Sequence, residues 1–149
     1  PLIVWVTCKA EEAPLPDNNV SDSVSQTSEL MKDTIAIIIG DTHFTAILES
    51  NTTANKFKKM LPLTISMIDL NSNEKFFDLS NNLLVNASNP RPINAGDLML
   101  WGSNPLVLFY KTFNTSYSYT RLGKIENPNG LSRALGSGNV TVTFELLSK

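Results

Sequence analysis

The feature that most constrains the fold is a pair of short apolar runs near the middle of the chain, at residues 98–101 and 106–110. The turn-forming pair Gly96-Asp97 precedes the first run, and the Gly-Ser-Asn-Pro sequence of residues 102–105 separates the two. Apolar runs joined by such a loop are typical of a β-hairpin. Because nearly every residue of both runs is apolar, we expect both faces of the hairpin to be covered, as in a barrel or sandwich wall.

Aromatic side chains follow this hairpin in a Ser/Thr-rich segment, residues 113–119, which is predicted to be loop. Aromatic rings on a polar loop beside a buried hairpin are typical of a binding surface. With two nearby cations they form the candidate binding site: Trp101, Phe109, Lys111, Phe113, Tyr117, Tyr119 and Arg121. A cation beside the rings would hold a carboxylate or a backbone carbonyl of a peptide or small ligand. The alternative for Trp101 and Phe109 is that they are ordinary core residues.

Composition excludes several classes of protein and site. A chain of 149 residues suits one domain with a sizeable core. Its net charge of −2 leaves no basic patch large enough to predict a nucleic-acid partner. No apolar run approaches the roughly 20 residues needed to cross a bilayer. The single cysteine, Cys8, excludes an internal disulfide and a cysteine-built zinc site.

The N-terminal part of the sequence predicts a disordered tail over residues 1–33. Residues 10–33 are rich in Glu, Asp, Ser, Asn and Pro and have no hydrophobic period, so they cannot offset the entropy of ordering. The apolar residues 2–6 before Thr7-Cys8 suggest the end of a bacterial lipoprotein signal, with Cys8 lipidated. The domain would then lie outside the cytoplasm at the cell envelope, touching the membrane only through its lipid anchor. Alternatively, residues 1–8 are a cloning remnant or an arbitrary fragment start, and the protein is cytoplasmic.

The folded domain is predicted to span residues 34–149 and to consist mainly of strands. Besides the central hairpin, we expect strands at residues 35–39, 44–48, 63–70, 74–79, 120–125 (interrupted by Gly123) and 140–146, the last with Val140, Val142, Phe144 and Leu146 inward. Two short helices are expected. Thr52 or Thr53 would cap the first, and Asn127-Pro128 would begin the second, which stops at Gly136. Seven or eight strands without βαβ alternation predict a closed or nearly closed β-barrel.

Several short segments carry a family resemblance. They are residues 60–64 (Met-Leu-Pro-Leu-Thr), 69–71 with Glu74-Lys75, 96–100, 106–113, 117–119, 122–125 and 135–138. Through them the domain resembles the bacterial cyclophilin-like proteins, small barrels with the cyclophilin fold that differ in sequence from the true prolyl isomerases. The resemblance implies a closed cyclophilin-like barrel of about eight strands with two short helices. The family has no settled activity, so the resemblance assigns none to this domain. It does imply a link to redox proteins, because relatives are often associated with flavodoxin-like redox domains.

No catalytic residue can be transferred with this resemblance. Cyclophilins place their catalytic arginine in a Phe-His-Arg segment, which this sequence lacks. If the protein is a peptidyl-prolyl isomerase, Arg121 is the candidate arginine, because it follows the aromatic cluster. The single histidine, His43, is predicted to be exposed beside the Gly40-Asp41 turn, and no metal site or cofactor is expected. The sequence therefore favours a binding module for a peptide or small ligand, with an isomerase or a partner of a flavodoxin-like protein as alternatives.

Overall fold

Eight antiparallel strands close into a barrel in the computed structural model, which describes residues 33–147. The elements are β1 (Thr34–Ile39), β2 (Thr42–Leu48), α1 (Thr52–Lys58), β3 (Leu63–Leu70), β4 (Glu74–Asp78), β5 (Asp97–Leu100), β6 (Pro105–Phe109), β7 (Thr120–Ile125), α2 (Leu131–Leu135) and β8 (Val140–Leu146). Around the barrel the strand order is β1-β2-β7-β5-β6-β4-β3-β8, and β8 pairs again with β1. The predicted mainly-β fold, a closed barrel with two short helices, is confirmed.

The main core fills the barrel interior with alternate residues of the strands. Helix α1 adds Ala54 and Phe57 to this core, and the Phe57 ring meets the edge of the Phe144 ring at a centroid distance of 5.8 Å. Helix α2 adds Leu131 and Leu135. Burial of these apolar side chains provides most of the favourable free energy of folding.

A second apolar cluster lies on the outer face of the β5–β6 hairpin. Inward-facing Leu98 and Leu108 belong to the main core, whereas the alternate residues Met99, Val107 and Phe109 point outward. Two isolated bridges, Ser88 to Tyr119 and Ile93 to Phe113, hold the long loops over that outer face. Ile93 and Tyr119 complete the cluster. The expectation that both faces of this hairpin are covered is therefore confirmed.

Gly123 does not interrupt β7, contrary to the sequence prediction. The strand is continuous, and Gly123 is paired with both Leu48 of β2 and Leu98 of β5, although the pairing register with β5 shifts between Gly123 and Arg121. A Cβ atom at this position would lie 2.5 Å from the Ile47 carbonyl oxygen. Glycine is present because the β2 backbone approaches β7 too closely for a side chain.

Both helix starts differ from the prediction. The N-cap of α1 is Asn51, whose side-chain oxygen accepts a hydrogen bond from the Ala54 N–H at 2.7 Å, and not Thr52 or Thr53. Helix α2 begins only at Leu131, after Gly130 in the left-handed conformation (φ 84°). Asn127 instead forms a local turn, in which its side chain accepts from the Asn129 N–H at 3.1 Å.

Two residues at the ends of the described chain also differ from the sequence prediction. Leu146, predicted to face inward on the last strand, is 47% exposed because it lies where β8 leaves the core. Asp33, the last residue of the predicted tail, is attached to the barrel: its carbonyl accepts from the Leu48 N–H at 2.8 Å, and its carboxylate pairs with Lys58 at 3.0 Å.

The remainder of the predicted tail, residues 1–32 with Cys8, lies outside the described residues. The predictions made for it therefore stay predictions. Within residues 33–147, neither helix has the length and apolar character needed to span a bilayer.

Candidate functional site

A cleft of about 520 Å³ opens on the outer face of the barrel wall formed by β3, β4 and β6. Its floor consists of outward-facing side chains from these strands, including Glu74, Phe76 and Val107. The loop of residues 113–117 and Tyr119 form one wall, and Trp101 at the β5–β6 turn lies at the margin. The cleft therefore lies between a rigid sheet and a loop, an arrangement common in ligand sites.

Strand alternation explains which side chains reach the cleft floor. The tight turn between β3 and β4 has Asn71 and Ser72 in the left-handed region, at φ 57° and 56°. From this turn β4 starts with Glu74 facing outward and Lys75 facing the barrel interior. Successive side chains of a strand point to opposite faces, so Phe76 and Asp78 follow Glu74 into the cleft.

The aromatic wall is fixed from below by Phe109. This residue has no exposed surface, and its ring lies 5.7 Å from the Phe113 ring and 5.4 Å from the Tyr119 ring, between centroids. The contact with Tyr119 is edge-to-face, a favourable arrangement for aromatic rings. The anchored rings hold the loop in place, while Trp101 and Tyr117 remain 52% and 62% exposed.

The structure brings together most, but not all, of the residues in the sequence-predicted site. Trp101, Phe113, Tyr117 and Tyr119 line the cleft, and Phe109 lies beneath the wall in the second cluster. Trp101 is half exposed, so it is not a core residue, whereas Phe109 is fully buried. A binding role for these residues stays a prediction.

The two predicted cations do not line the cleft. Lys111 is exposed outside it. The Arg121 guanidinium donates a hydrogen bond to the Pro90 carbonyl at 3.1 Å, and the Arg121 carbonyl accepts one from the Asn51 side chain at 2.9 Å. Arg121 thus connects β7 to the 79–96 loop and to the start of α1.

Sequence reasoning missed the most unusual group in the cleft, the Glu74 carboxyl. Glu74 is only 8% exposed, and it has no hydrogen-bond or ion-pair partner among residues 33–147. Burial, and secondarily the negative charge of Asp69, raises the pKa of Glu74 to about 7. A possible sequence signal was the glutamate directly after the predicted Asn71-Ser72-Asn73 turn, in phase with Phe76.

A buried polar network lies on the other side of the barrel wall from Glu74 and centres on Lys75. The Lys75 ammonium is fully buried and donates to the Gly136 and Gly138 carbonyls at 2.8 and 2.6 Å. It also lies 3.0 Å from Asp69, which accepts a hydrogen bond from the Tyr110 hydroxyl at 2.6 Å. This network ties the 136–138 loop to β3 and β4.

The pKa values of Asp69 and Tyr110 reflect these contacts. The Tyr110 hydrogen bond, together with Lys75, lowers the pKa of Asp69 against a smaller opposing effect of burial. Burial and the neighbouring Asp69 raise the pKa of Tyr110 to about 12. Asp69 therefore stays ionised, while Tyr110 stays protonated as its donor.

The charge of the cleft is opposite to the one predicted from sequence. Its described lining contains two carboxyl groups, those of Glu74 and Asp78, and no Lys, Arg or His side chain. The amide oxygen assigned to Asn73, another lining residue, is buried without a hydrogen-bond partner among residues 33–147. The charged groups that the described lining presents to the cleft are therefore carboxyl groups, and they lie beside aromatic rings.

A metal centre is not formed by the described part of the chain. Within residues 33–147, no three His, Cys, Asp or Glu side chains come close enough together to hold an ion. His43 lies exposed on β2, paired across the sheet with Ile38.

Comparisons with known proteins agree with this architecture. Residues 37–145 match the sequence model of the cyclophilin-like family. Among solved structures, the hypothetical protein AF2241 from Archaeoglobus fulgidus, determined in solution, is similar with a TM-score of 0.53 and 14% identity. The similarity covers 78% of this chain and 96% of that one, and at this identity it shows the fold alone. Among curated proteins, none matches significantly.

Proposed function

The chain belongs to the cyclophilin-like family, and we propose that its barrel is a binding module that holds a peptide or small ligand in the outer cleft. The observation that carries the proposal is the exposure of Trp101 and Tyr117 inside a concave site. Large apolar rings are costly to leave in water, and covering such a side chain contributes about 1.5–3 kcal/mol. A ligand in the cleft would gain that contribution.

Preorganisation of the cleft supports the same function. Its floor belongs to paired β-strands, and Phe109 fixes two of the aromatic rings in its wall. A site that is already ordered loses little conformational entropy when a ligand binds. The ordered strands and aromatic rings therefore favour binding of a ligand in the cleft.

No observation specifically supports the alternative that the protein is a prolyl isomerase. It required Arg121 at the binding surface, but the Arg121 guanidinium bonds the Pro90 carbonyl and does not line the cleft. A shared fold does not by itself transfer an activity. An association with a flavodoxin-like protein stays a prediction from the family resemblance.

Fluorescence of Trp101 provides the test. Trp5→Phe removes the other tryptophan of the chain, so that the emission reports the cleft margin alone. A library of short peptides and small molecules would be screened against this protein and against the same protein with Tyr117→Ala. We expect hits to shift the Trp101 emission and to bind about tenfold more weakly after Tyr117→Ala, corresponding to about 1.4 kcal/mol.

Val85→Ala is the matched control, because Val85 is 54% exposed but does not line the cleft. It should leave the affinity unchanged. Tyr119 is 6% exposed and packs on Phe109, so Tyr119→Phe is preferable to an alanine substitution there. Equal affinities in the parent protein and Tyr117→Ala, or a library without hits, would refute the proposal.

A further inference from the structure

Among residues 33–147, Glu74 is the charged side chain that the fold buries against the cleft without a partner. The other two buried charged side chains in the described part of the chain do have partners: Lys75 has three, and Asp97 accepts from the Asn94 N–H at 2.8 Å. A buried ionised group without a partner costs free energy, and such groups are normally paired. Because Glu74 lines the cleft, a ligand in the cleft could provide that partner.

The surroundings of Glu74 select the chemistry of that partner. Phe76 lies two residues along β4, and Phe113, Tyr117 and Tyr119 form the adjacent wall. The faces of aromatic rings attract cations, because the ring quadrupole is negative above and below its plane. Asp78 adds a second carboxyl, and the described lining contains no basic side chain that would repel a positive charge.

We propose that the cleft recognises an alkylammonium group, with Glu74 as the counterion and the aromatic wall enclosing its hydrocarbon part. The proposal rests on the ligand-binding function above and specifies its ligand class. A free amine and a lysine side chain present the same group, so both are candidate sources. An anionic ligand is disfavoured, since it would bring a third negative charge to the two carboxyl groups.

The test uses probes that differ in charge but little in shape. The first set is benzylammonium, benzyl alcohol and benzoate, representing a free amine and its neutral and anionic counterparts. The second is the blocked tripeptide Gly-Lys-Gly and its norleucine counterpart, representing a side chain. Backbone amide NMR shifts of the full chain would locate each probe and give its affinity.

We expect the cationic member of at least one set to shift the amides of Glu74 and Tyr117 and to bind about tenfold more tightly than its neutral counterpart. Glu74→Gln should abolish this preference, whereas Glu74→Asp, which keeps the charge, should retain most of it. Glu145→Gln is the control, because Glu145 is an exposed glutamate on β8 that does not line the cleft. The set that shows the preference identifies the source of the ammonium group.

Other outcomes overturn the inference. Equal binding of charged and neutral probes in the cleft would refute ammonium recognition while leaving the ligand-binding function in place. Tighter binding of benzoate would refute it in the same way. Absence of binding by every probe at millimolar concentration would also refute it, and the Trp101 screen would then decide separately whether the cleft binds another class of ligand.

Discussion

Glu74 and Lys75 are adjacent in β4, but their charged groups lie on opposite sides of the barrel wall. The Lys75 ammonium is buried in the interior beside Asp69 at 3.0 Å, whereas the Glu74 carboxyl opens into the outer cleft without a partner in the described chain. Strand alternation makes this separation unavoidable, since consecutive residues face opposite ways. Lys75 thus forms a stabilising ion pair inside the barrel, whereas Glu74 presents an unpaired carboxyl group to the cleft.

Substitution of Lys75 by methionine should destabilise the barrel strongly. Methionine retains an apolar chain of similar length but leaves Asp69 without its ion pair and the Gly136 and Gly138 carbonyls without their donor. Removing one member of a buried ion pair costs about 3–5 kcal/mol, and the partial exposure of Asp69 reduces this to about 2–4 kcal/mol. Urea denaturation would measure the loss. Lys111→Met, at an exposed position, should change the free energy of unfolding by less than about 0.5 kcal/mol.

Gly123→Ala should also destabilise the protein, through backbone crowding. The added Cβ would lie 2.5 Å from the Ile47 carbonyl oxygen and 3.1 Å from the Leu48 Cα, both backbone atoms that cannot rotate away. Strands β2 and β7 would have to separate, with an expected loss of about 2–4 kcal/mol. Lys124→Ala, at the exposed neighbouring residue, serves as the control for urea denaturation. Similar midpoints for the two variants would contradict the close approach.

The fold could be predicted because its signal is local and repeated. Alternation in segments such as residues 44–48 and 140–144 marks strands without knowledge of their partners. The central hairpin was predicted to be covered on both faces because its apolar residues do not alternate with polar ones. Strand order, by contrast, depends on long-range pairing, and no local pattern encodes that β7 lies between β2 and β5.

The composition of the cleft could be predicted only in part, for a related reason. The aromatic residues are close in sequence, so their proximity in space was a reasonable expectation. Glu74 lies about 40 residues earlier, and it shares a cleft with Phe113 and Tyr117 only in the folded barrel. Arg121 was predicted to lie in the site because it is close in sequence to Tyr119. It enters β7 beside Met99 of β5, where its guanidinium meets Pro90.

The start of α1 allows a direct comparison of the sequence prediction with the structure. Asn51→Ala should lower the free energy of unfolding by about 1–2 kcal/mol, because it removes both the cap on the Ala54 N–H and the bond to the Arg121 carbonyl. Thr52→Ala, at the exposed position that the sequence suggested as a cap, should cost less than about 0.5 kcal/mol. Thermal or urea denaturation of the two variants would decide. A larger effect at Thr52 would restore the sequence interpretation.

Glu74 should make the free energy of unfolding depend on pH in a direction unusual for a carboxyl group. Its pKa in the folded protein is about 7, above the ordinary value of 4.5 that applies to the unfolded chain. The folded state therefore binds the proton more tightly, so the contribution of Glu74 to stability is fully present below about pH 4.5 and is lost as the pH rises through 7. The full shift corresponds to about 3 kcal/mol, which solvent in the open cleft reduces to about 1–2 kcal/mol.

Comparison of the wild type with Glu74→Gln isolates this contribution from the titration of other carboxyls. Asp97, whose pKa burial raises, and Asp69, whose pKa its Tyr110 and Lys75 contacts lower, titrate in both proteins. Glutamine mimics the protonated carboxyl, so the difference in unfolding free energy should move in favour of the variant by about 1–2 kcal/mol between pH 5 and 8. Urea denaturation at several pH values would measure it. A difference that stays constant with pH would mean that the Glu74 carboxyl is solvated or paired, and would remove the need for a cation in the cleft.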